Sequence, residues 1–189
     1  LLSHLVLKYI KIMNKQLADK KVISNMLLRL SHEIIENNNN LDNIAIVGIR
    51  TRGDIIAKRI VQLIKKITKR NNIISGTLDV TFYRDDFSSN WGSPRVGPSD
   101  ITFDVNNINI ILIDDVLYSG RTIKAAIEEI FSFGRPSSIQ LGVLVDRGHR
   151  ELPIKANFVG KNIPTSEDEH VHVFVKEVDD KEEICLIKY

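Results

Sequence analysis

The chain has one cysteine, one tryptophan, two methionines and five prolines in 189 residues. A single thiol, Cys185, excludes an intramolecular disulfide framework and every multi-cysteine metal site, which suits a reducing compartment. Its expected place is as filler in a C-terminal strand. No apolar run reaches the roughly eighteen residues that span a bilayer, and Lys8, Lys11 and Lys15 interrupt the N-terminal candidate. The expectation is a soluble, cytoplasmic protein with no membrane partner. A strong excess of one charge is lacking too: the net charge is +2 with 26% charged residues. Any nucleic-acid surface must therefore be a local patch.

What is present is enough apolar material, 43% of residues, to bury a real core at the size of one domain. The pattern from Met13 onward reads as an ordinary start, so residues 1–12 are taken as an N-terminal extension outside the functional argument and 13–189 as a single domain. Val22, Ile23, Met26, Leu27, Leu30, Ile34 and Ile35 recur at helical spacing, and the run Asn37 to Asn40 ends a helix over roughly 20–36. Ile44 to Ile49 is a continuous apolar strand, followed by a turn at Arg50 to Gly53 and a helix over 54–67. Ile73 to Tyr83 alternates as a strand and leads into a loop, Arg84 to Asp100, rich in turn formers and expected to be mobile. Asn109 to Ile113 is a strand, Ser119 to Phe133 a helix stopped by Gly134 and Pro136, and Ser138 to Val145 the next strand.

This alternation predicts an α/β fold with a twisted, mainly parallel sheet, helices on both faces and ligands at the carboxyl ends of the strands. The turns Arg50 to Gly53, Asp114 to Thr122 and Asp146 to His149 should then meet. The remaining strands, near 157–159, 171–175 and 183–187, are expected to form a small hood over them.

The sharpest signal runs from Ile110 to Thr122, where a buried strand delivers Asp114 and Asp115 into a loop that opens a helix. Adjacent carboxylates at a strand end can accept hydrogen bonds from vicinal ribose hydroxyls. Small Ser119 and Gly120 let backbone N–H groups converge on a phosphate at the helix N-terminus, with the Ser119 and Thr122 hydroxyls as further donors. Taken singly, an acidic pair capping a strand and a serine capping a helix are ordinary. Their order is what restricts the reading. The segment has neither the Gly-Lys-Ser/Thr of a Walker loop nor the spaced glycines of a dinucleotide fingerprint.

This segment resembles the phosphoribosyl-pyrophosphate (PRPP) signature of the type I phosphoribosyltransferases. The resemblance extends to Val47 to Gly53, Thr81 to Asp86, Arg135 to Leu141, Val145 to Ile154 and Gly160 to Ser166, and covers the chain from about Lys20 onward. Those stretches are similar to one subfamily, the bifunctional pyr operon attenuation regulators and uracil phosphoribosyltransferases. The resemblance implies the type I fold with its hood, and transfer of phosphoribosyl from PRPP to uracil, giving UMP and pyrophosphate. It implies that Asp114 and Asp115 hold the ribose hydroxyls, while Val116, Leu117, Tyr118, Ser119, Gly120, Arg121 and Thr122 wrap the 5′-phosphate. Arg50, Thr51 and Arg52 match the pyrophosphate loop, and Arg84, with Asp85 and Asp86, begins the loop that closes over the reacting centre. Arg147 and the backbone near Val171 match contacts to the base. Mg²⁺ is implied as a cofactor carried by PRPP, with no dedicated protein site.

For the regulatory half, the resemblance implies UMP-dependent binding to a pyr mRNA leader stem-loop through Arg29, His32, His149, Arg150 and Lys161, with UMP and UTP as nucleotide partners, by a homodimer or larger homo-oligomer. Arg29 and His32, three apart, share a helix face. Two departures stand beside this: Leu28 replaces a frequent threonine, and Ser88 to Pro98 is unlike the usual lysine-bearing loop. A salvage enzyme without RNA binding, or one using another base such as a purine, are the alternatives.

Overall fold

The computed structural model describes residues 13–80 and 99–188. In chain order its first elements are β1 (Met13–Asp19), α1 (Lys20–Asn37), β2 (Ile44–Ile49), α2 (Gly53–Thr68) and β3 (Ile74–Leu78). Then follow β4 (Asn109–Leu117), α3 (Arg121–Phe133), β5 (Ser138–Asp146), β6 (Phe158–Asn162), β7 (Glu169–Phe174), α4 (Lys176–Asp179) and β8 (Glu183–Lys188). A parallel sheet in the order β3-β2-β4-β5-β6 is joined by a smaller antiparallel sheet in the order β1-β8-β7.

Continuous apolar runs make the parallel strands because both faces are covered. All six residues of β2 are buried. Ile44 and Ile46 face the cluster built by α1 and α2, whereas Ala45, Val47 and Ile49 face the cluster built on α3. The helix α1 buries Ile23, Met26, Leu27, Leu30 and Ile34 along one stripe. It starts where the Asp19 carboxylate accepts the Val22 N–H at 2.8 Å, a cap that contributes about 1 kcal/mol. At its other end the Asn38 amide donates to the Ile34 carbonyl at 2.9 Å, so the asparagine run does end the helix.

Four differences from the sequence-based expectation bear on the site. Strand β4 continues through the acidic pair to Leu117, because Val116 and Leu117 remain in register with Val145 and Asp146 of β5. The helix α3 begins at Arg121, two residues after Ser119. Strand β6 pairs in parallel with β5 as the edge of the main sheet and is not part of the hood. The hood instead recruits β1, a short polar stretch paired with β8 from the far end of the chain. The expected strand residues Thr81 to Tyr83, Arg84 with its loop to Pro98, and the extension 1–12 lie outside the described residues. Where the chain is described again, the Asp100 backbone pairs with Thr77 beside β3 through bonds of 3.0 and 2.7 Å.

Candidate active site

The acidic pair is held from beneath. Ile110 to Ile113 are buried, each such side chain contributing about 1.5–3 kcal/mol, so the strand that carries Asp114 and Asp115 is firmly fixed. Ile111, Ile113 and then Val116 pack toward α1 and α2, so the in-and-out alternation slips by one residue at the pair. There the carboxylates serve their own backbone. Asp114 Oδ1 accepts the Asp115 N–H and Asp115 Oδ1 accepts the Val116 N–H, both at 2.9 Å. Asp114 is 4% exposed and Asp115 half-buried.

Beyond the pair, Gly120 takes a left-handed conformation (φ 95°), which favours glycine, and α3 starts with no side-chain cap. The Ser119 hydroxyl accepts the Arg121 N–H at 3.3 Å. A helix start beneath a tight turn, with no side chain at its Gly120 cap position, is a place where backbone N–H groups can receive an anion. The neighbouring strand end brings a second turn: Arg50 and Thr51 are joined by a cis peptide, and Gly53 opens α2 against β4. A Cβ on Gly53 would lie 2.6 Å from the Ile113 carbonyl oxygen and 3.0 Å from the Asp114 Cα, so only glycine allows this approach.

The third turn is stapled to the phosphate-type loop. The Arg147 N–H donates to the Leu117 carbonyl at 3.1 Å, and the N–H groups of Glu151 and Leu152 both donate to the Ser119 carbonyl. Arg150 donates to the carbonyls of Ile154 (3.0 Å), Tyr118 (2.8 Å) and Gly148 (3.2 Å) and pairs with the Asp146 carboxylate. The Arg147 guanidinium lies 4.2 Å from the centre of the Tyr118 ring, a cation–π contact, and its Nε donates to the Thr165 hydroxyl at 3.2 Å. Arg147 is 4% exposed, and its Nη2 has no partner among the described residues. Burial lowers this guanidinium's pKa from its ordinary value, with Tyr118 and Glu169 opposing.

The hood is clamped down by charge. Arg52 grips Asp179 of α4 through two bonds of 3.1 and 2.8 Å, while Asp179 also accepts the Val175 N–H at 2.9 Å. Burial pushes the Asp179 carboxyl up, but the Arg52 bonds, the Val175 N–H and nearby positive charge together hold it below its ordinary value. Farther along α2, Arg59 pairs with Glu177 and Glu182 at 2.6 Å each.

Residues 13–181 match the phosphoribosyl transferase domain family. The chain is 49% identical over 172 residues to the bifunctional protein PyrR of Caldicellulosiruptor bescii, covering 91% of this chain and 94% of that protein. The protein of the same name from Clostridioides difficile is 47% identical over 171 residues, covering 90% and 96%. The chain belongs to the PyrR family of phosphoribosyltransferases. Among solved structures, a hypoxanthine phosphoribosyltransferase from Staphylococcus aureus superposes with a TM-score of 0.66 at 22% identity, covering 90% of each chain. A hypoxanthine-guanine phosphoribosyltransferase from Bacillus anthracis gives 0.67 at 18% identity, covering 95% of this chain and 100% of that one. These two establish the type I fold.

Within this PyrR-family chain, the residues expected to share a site largely come together. The loop after β4 is bonded to the Arg147 turn through Leu117 and Ser119, and Gly53, at the end of the Arg50 to Gly53 turn, lies against Asp114. Val171 is buried in β7, on the hood face turned toward the core. Arg84 falls outside the described residues. The proposed RNA residues divide into two groups. Arg29 donates to the carbonyls of Val159 and Gly160 and pairs with Glu33, while Lys161 donates to the Leu17 carbonyl at 3.2 Å. His32 is exposed on the same helix. His149 is exposed, takes φ 58° and bonds the Thr165 carbonyl at 2.6 Å, while Arg150 is spent on the loop staple. Sequence reasoning missed Asp179 and Thr165 as partners of Arg52 and Arg147, and nothing in their local sequence marks them.

The hood histidines make a pH prediction. Burial lowers the His172 imidazole, helped by His170, Arg52 and Arg147 and opposed by Asp115; burial and Arg147 also lower His170. The unfolded chain therefore takes up protons that the folded chain resists, so stability is full above about 6.5, the unperturbed histidine value, and falls as pH drops through it. The melting temperature is expected to fall between pH 7.5 and 5.5, and to fall less in His172→Gln. Equal slopes would show that His172 does not titrate abnormally.

Proposed function

We propose that the protein transfers phosphoribosyl from PRPP to uracil, forming UMP and pyrophosphate in the cytoplasm. We also propose that it binds a pyr mRNA leader stem-loop with an affinity raised by UMP. The observation that carries the catalytic reading is the rigid acidic pair running into an uncapped helix start, with an arginine-bearing turn packed beside it. In this reading residues 13–189 act as one domain with its hood, assembled as a homodimer or larger homo-oligomer.

In the reaction the bond from ribose C1 to the pyrophosphate oxygen breaks as the bond from C1 to uracil N1 forms, and N1 loses its proton. Charge at C1 rises toward an oxocarbenium state, so the protein's work is to fix geometry and neutralise the leaving group. Asp114 and Asp115 accept the ribose hydroxyls, and backbone N–H groups of Ser119 to Thr122 hold the 5′-phosphate. Arg50, Thr51 and Arg52 hold the pyrophosphate, Arg84 belongs to the closing loop, and Arg147 presents its buried Nη2 to a carbonyl oxygen of the base. Mg²⁺, when bound, neutralises the diphosphate. It takes oxygen donors and retains waters, so PRPP phosphates would hold it and no dedicated protein ligand set would be needed.

The regulatory reading uses His32, Arg29 and Lys161 on one side and His149 on the other, with Arg150 acting through the loop it braces. Such residues contact phosphates or stack on unpaired bases. The test is a pair of measurements on the whole protein: UMP formation from uracil and PRPP with Mg²⁺, and binding of the host's pyrimidine-leader stem-loop with and without UMP. UMP formation with no preference for that stem-loop over unrelated RNA at any UMP concentration would leave a salvage enzyme. UMP formation failing while hypoxanthine is used would overturn the base assignment.

A further inference from the structure

The turn Arg50 to Gly53 carries two arginines, and each is paired with an acid from another part of the chain. Arg50 Nη1 lies 3.4 Å from the carboxylate of Asp79, the residue after β3. Arg52 gives Nε and Nη2 to the two oxygens of Asp179, at 3.1 and 2.8 Å. In this side-on geometry one carboxylate fixes the whole plane of a guanidinium. Asp179 is itself held, because its Oδ2 also takes the Val175 N–H at 2.9 Å. Burial pushes its carboxyl up, but Arg52, the Val175 N–H and nearby positive charge hold it below its ordinary value, so it is ionised at neutral pH.

The Arg52 side chain keeps 28% of its surface exposed, so part of the guanidinium can still be reached. Arg52 and Asp115 both act on the His172 imidazole of β7, which places this arginine and the acidic pair around the same space. The hood has a second clasp. Arg59, seven residues and about two helical turns beyond Arg52, pairs with Glu177 and Glu182 at 2.6 Å each. Arg59 lies along α2, whereas Arg52 belongs to the strand-end turn that leads into it. Seating the hood does not in itself call for an arginine from that turn, since Arg59 already supplies an anchor.

We propose that Asp179 is a positioning residue for Arg52: it holds the guanidinium in one plane, so that the edge left open meets the pyrophosphate of PRPP only while the hood is seated. This rests on the reading of Arg50 to Gly53 as the pyrophosphate turn, and it makes the hold on pyrophosphate depend on a residue of the hood. An arginine that swings freely loses side-chain freedom when it grips an anion. One already fixed by a carboxylate loses less, and so grips more tightly.

The experiment uses the full chain, with KM for PRPP and for uracil, inhibition by pyrophosphate, and a thermal melt. Asp179→Asn keeps an oxygen for the Val175 N–H and removes the charge that fixes Arg52. It is expected to raise the KM for PRPP and the inhibition constant for pyrophosphate about tenfold, the scale on which losing an orienting partner weakens a binding group, with the KM for uracil unchanged. Asp179→Glu, which keeps the charge and moves it by one methylene, is expected to raise the same two constants less. Glu177→Gln with Glu182→Gln, which opens only the Arg59 clasp, is expected to leave both unchanged. In an Arg52→Ala background Asp179→Asn should add no further loss, because it acts through Arg52. An unchanged KM for PRPP in Asp179→Asn would overturn the proposal, and so would a lower one, which would mean that Asp179 withholds Arg52 from the ligand. Equal rises on opening either clasp, or losses that add in the Arg52→Ala background, would show plain seating of the hood and overturn it as well. Arg52→Ala with a wild-type KM for PRPP would instead refute the pyrophosphate turn, and wild-type protein that makes no UMP would refute the uracil reading.

Discussion

Replacing both Asp114 and Asp115 by asparagine is expected to lower kcat/KM for UMP formation by about a thousandfold, on the scale seen when a preorganised polar contact to the reacting centre is lost. The two losses should not multiply, because in the proposed mechanism the pair grips one ribose as a unit. Asparagine keeps the oxygen that accepts the Asp115 and Val116 N–H groups at 2.9 Å, so the strand should hold its shape and the melting temperature should move little. Kinetics and a thermal melt on one preparation separate the two effects. Activity within a few-fold of wild type would remove the acidic pair from the site.

Arg150→Gln is expected to damage nucleotide transfer and RNA binding together. The guanidinium serves the carbonyls of Tyr118, Gly148 and Ile154 and the Asp146 carboxylate, and it is only 22% exposed. Glutamine cannot span that set, and each acceptor left without a partner costs about 1–3 kcal/mol. The loop 147–154 should loosen and carry the phosphate-type loop with it, because Glu151 and Leu152 are bonded to Ser119. Arg150→Lys should rescue little, since a point charge does not replace a planar fork. A variant that loses only RNA binding, with UMP formation and amide protection of residues 117–122 intact, would show Arg150 to be a direct contact instead.

The parts of this fold readable in the sequence were those whose pattern depends on neighbours in the chain. Strand β2 was legible residue for residue because every side chain is buried, and α1 because its apolar residues recur at helical spacing and asparagines follow it. The phosphate-type loop was legible because its chemistry is local: carboxylates, glycine and helix start lie within nine residues, from Asp114 to Thr122. Strand β4 was cut short because two aspartates read as an exit from the sheet, whereas their carboxylates satisfy backbone N–H groups and let the strand continue. Strand β1 was invisible because Met13 to Asp19 has little apolar content and gains its conformation from β8. The Arg52–Asp179 and Arg59–Glu177 pairs join residues 127 and 118 positions apart, which no local pattern reveals. Arg150 looked like a surface contact because a sequence shows the charge and not the carbonyls around it.

The order β1-β8-β7 puts β8, which follows every strand of the main sheet in sequence, in the middle of the hood. Until Glu183 to Lys188 have left the ribosome, β1 and β7 have no hydrogen-bonding neighbour in that sheet, although the main sheet is already complete from β2 to β6. Pairings this distant in sequence form late, because closing the intervening chain costs entropy before the contacts repay it. A nascent chain can thus offer a phosphate loop well before it can cover a base. In the proposed mechanism capture of the base therefore waits for β8, and deleting Glu183 to Lys188 should disable catalysis while leaving the larger sheet folded.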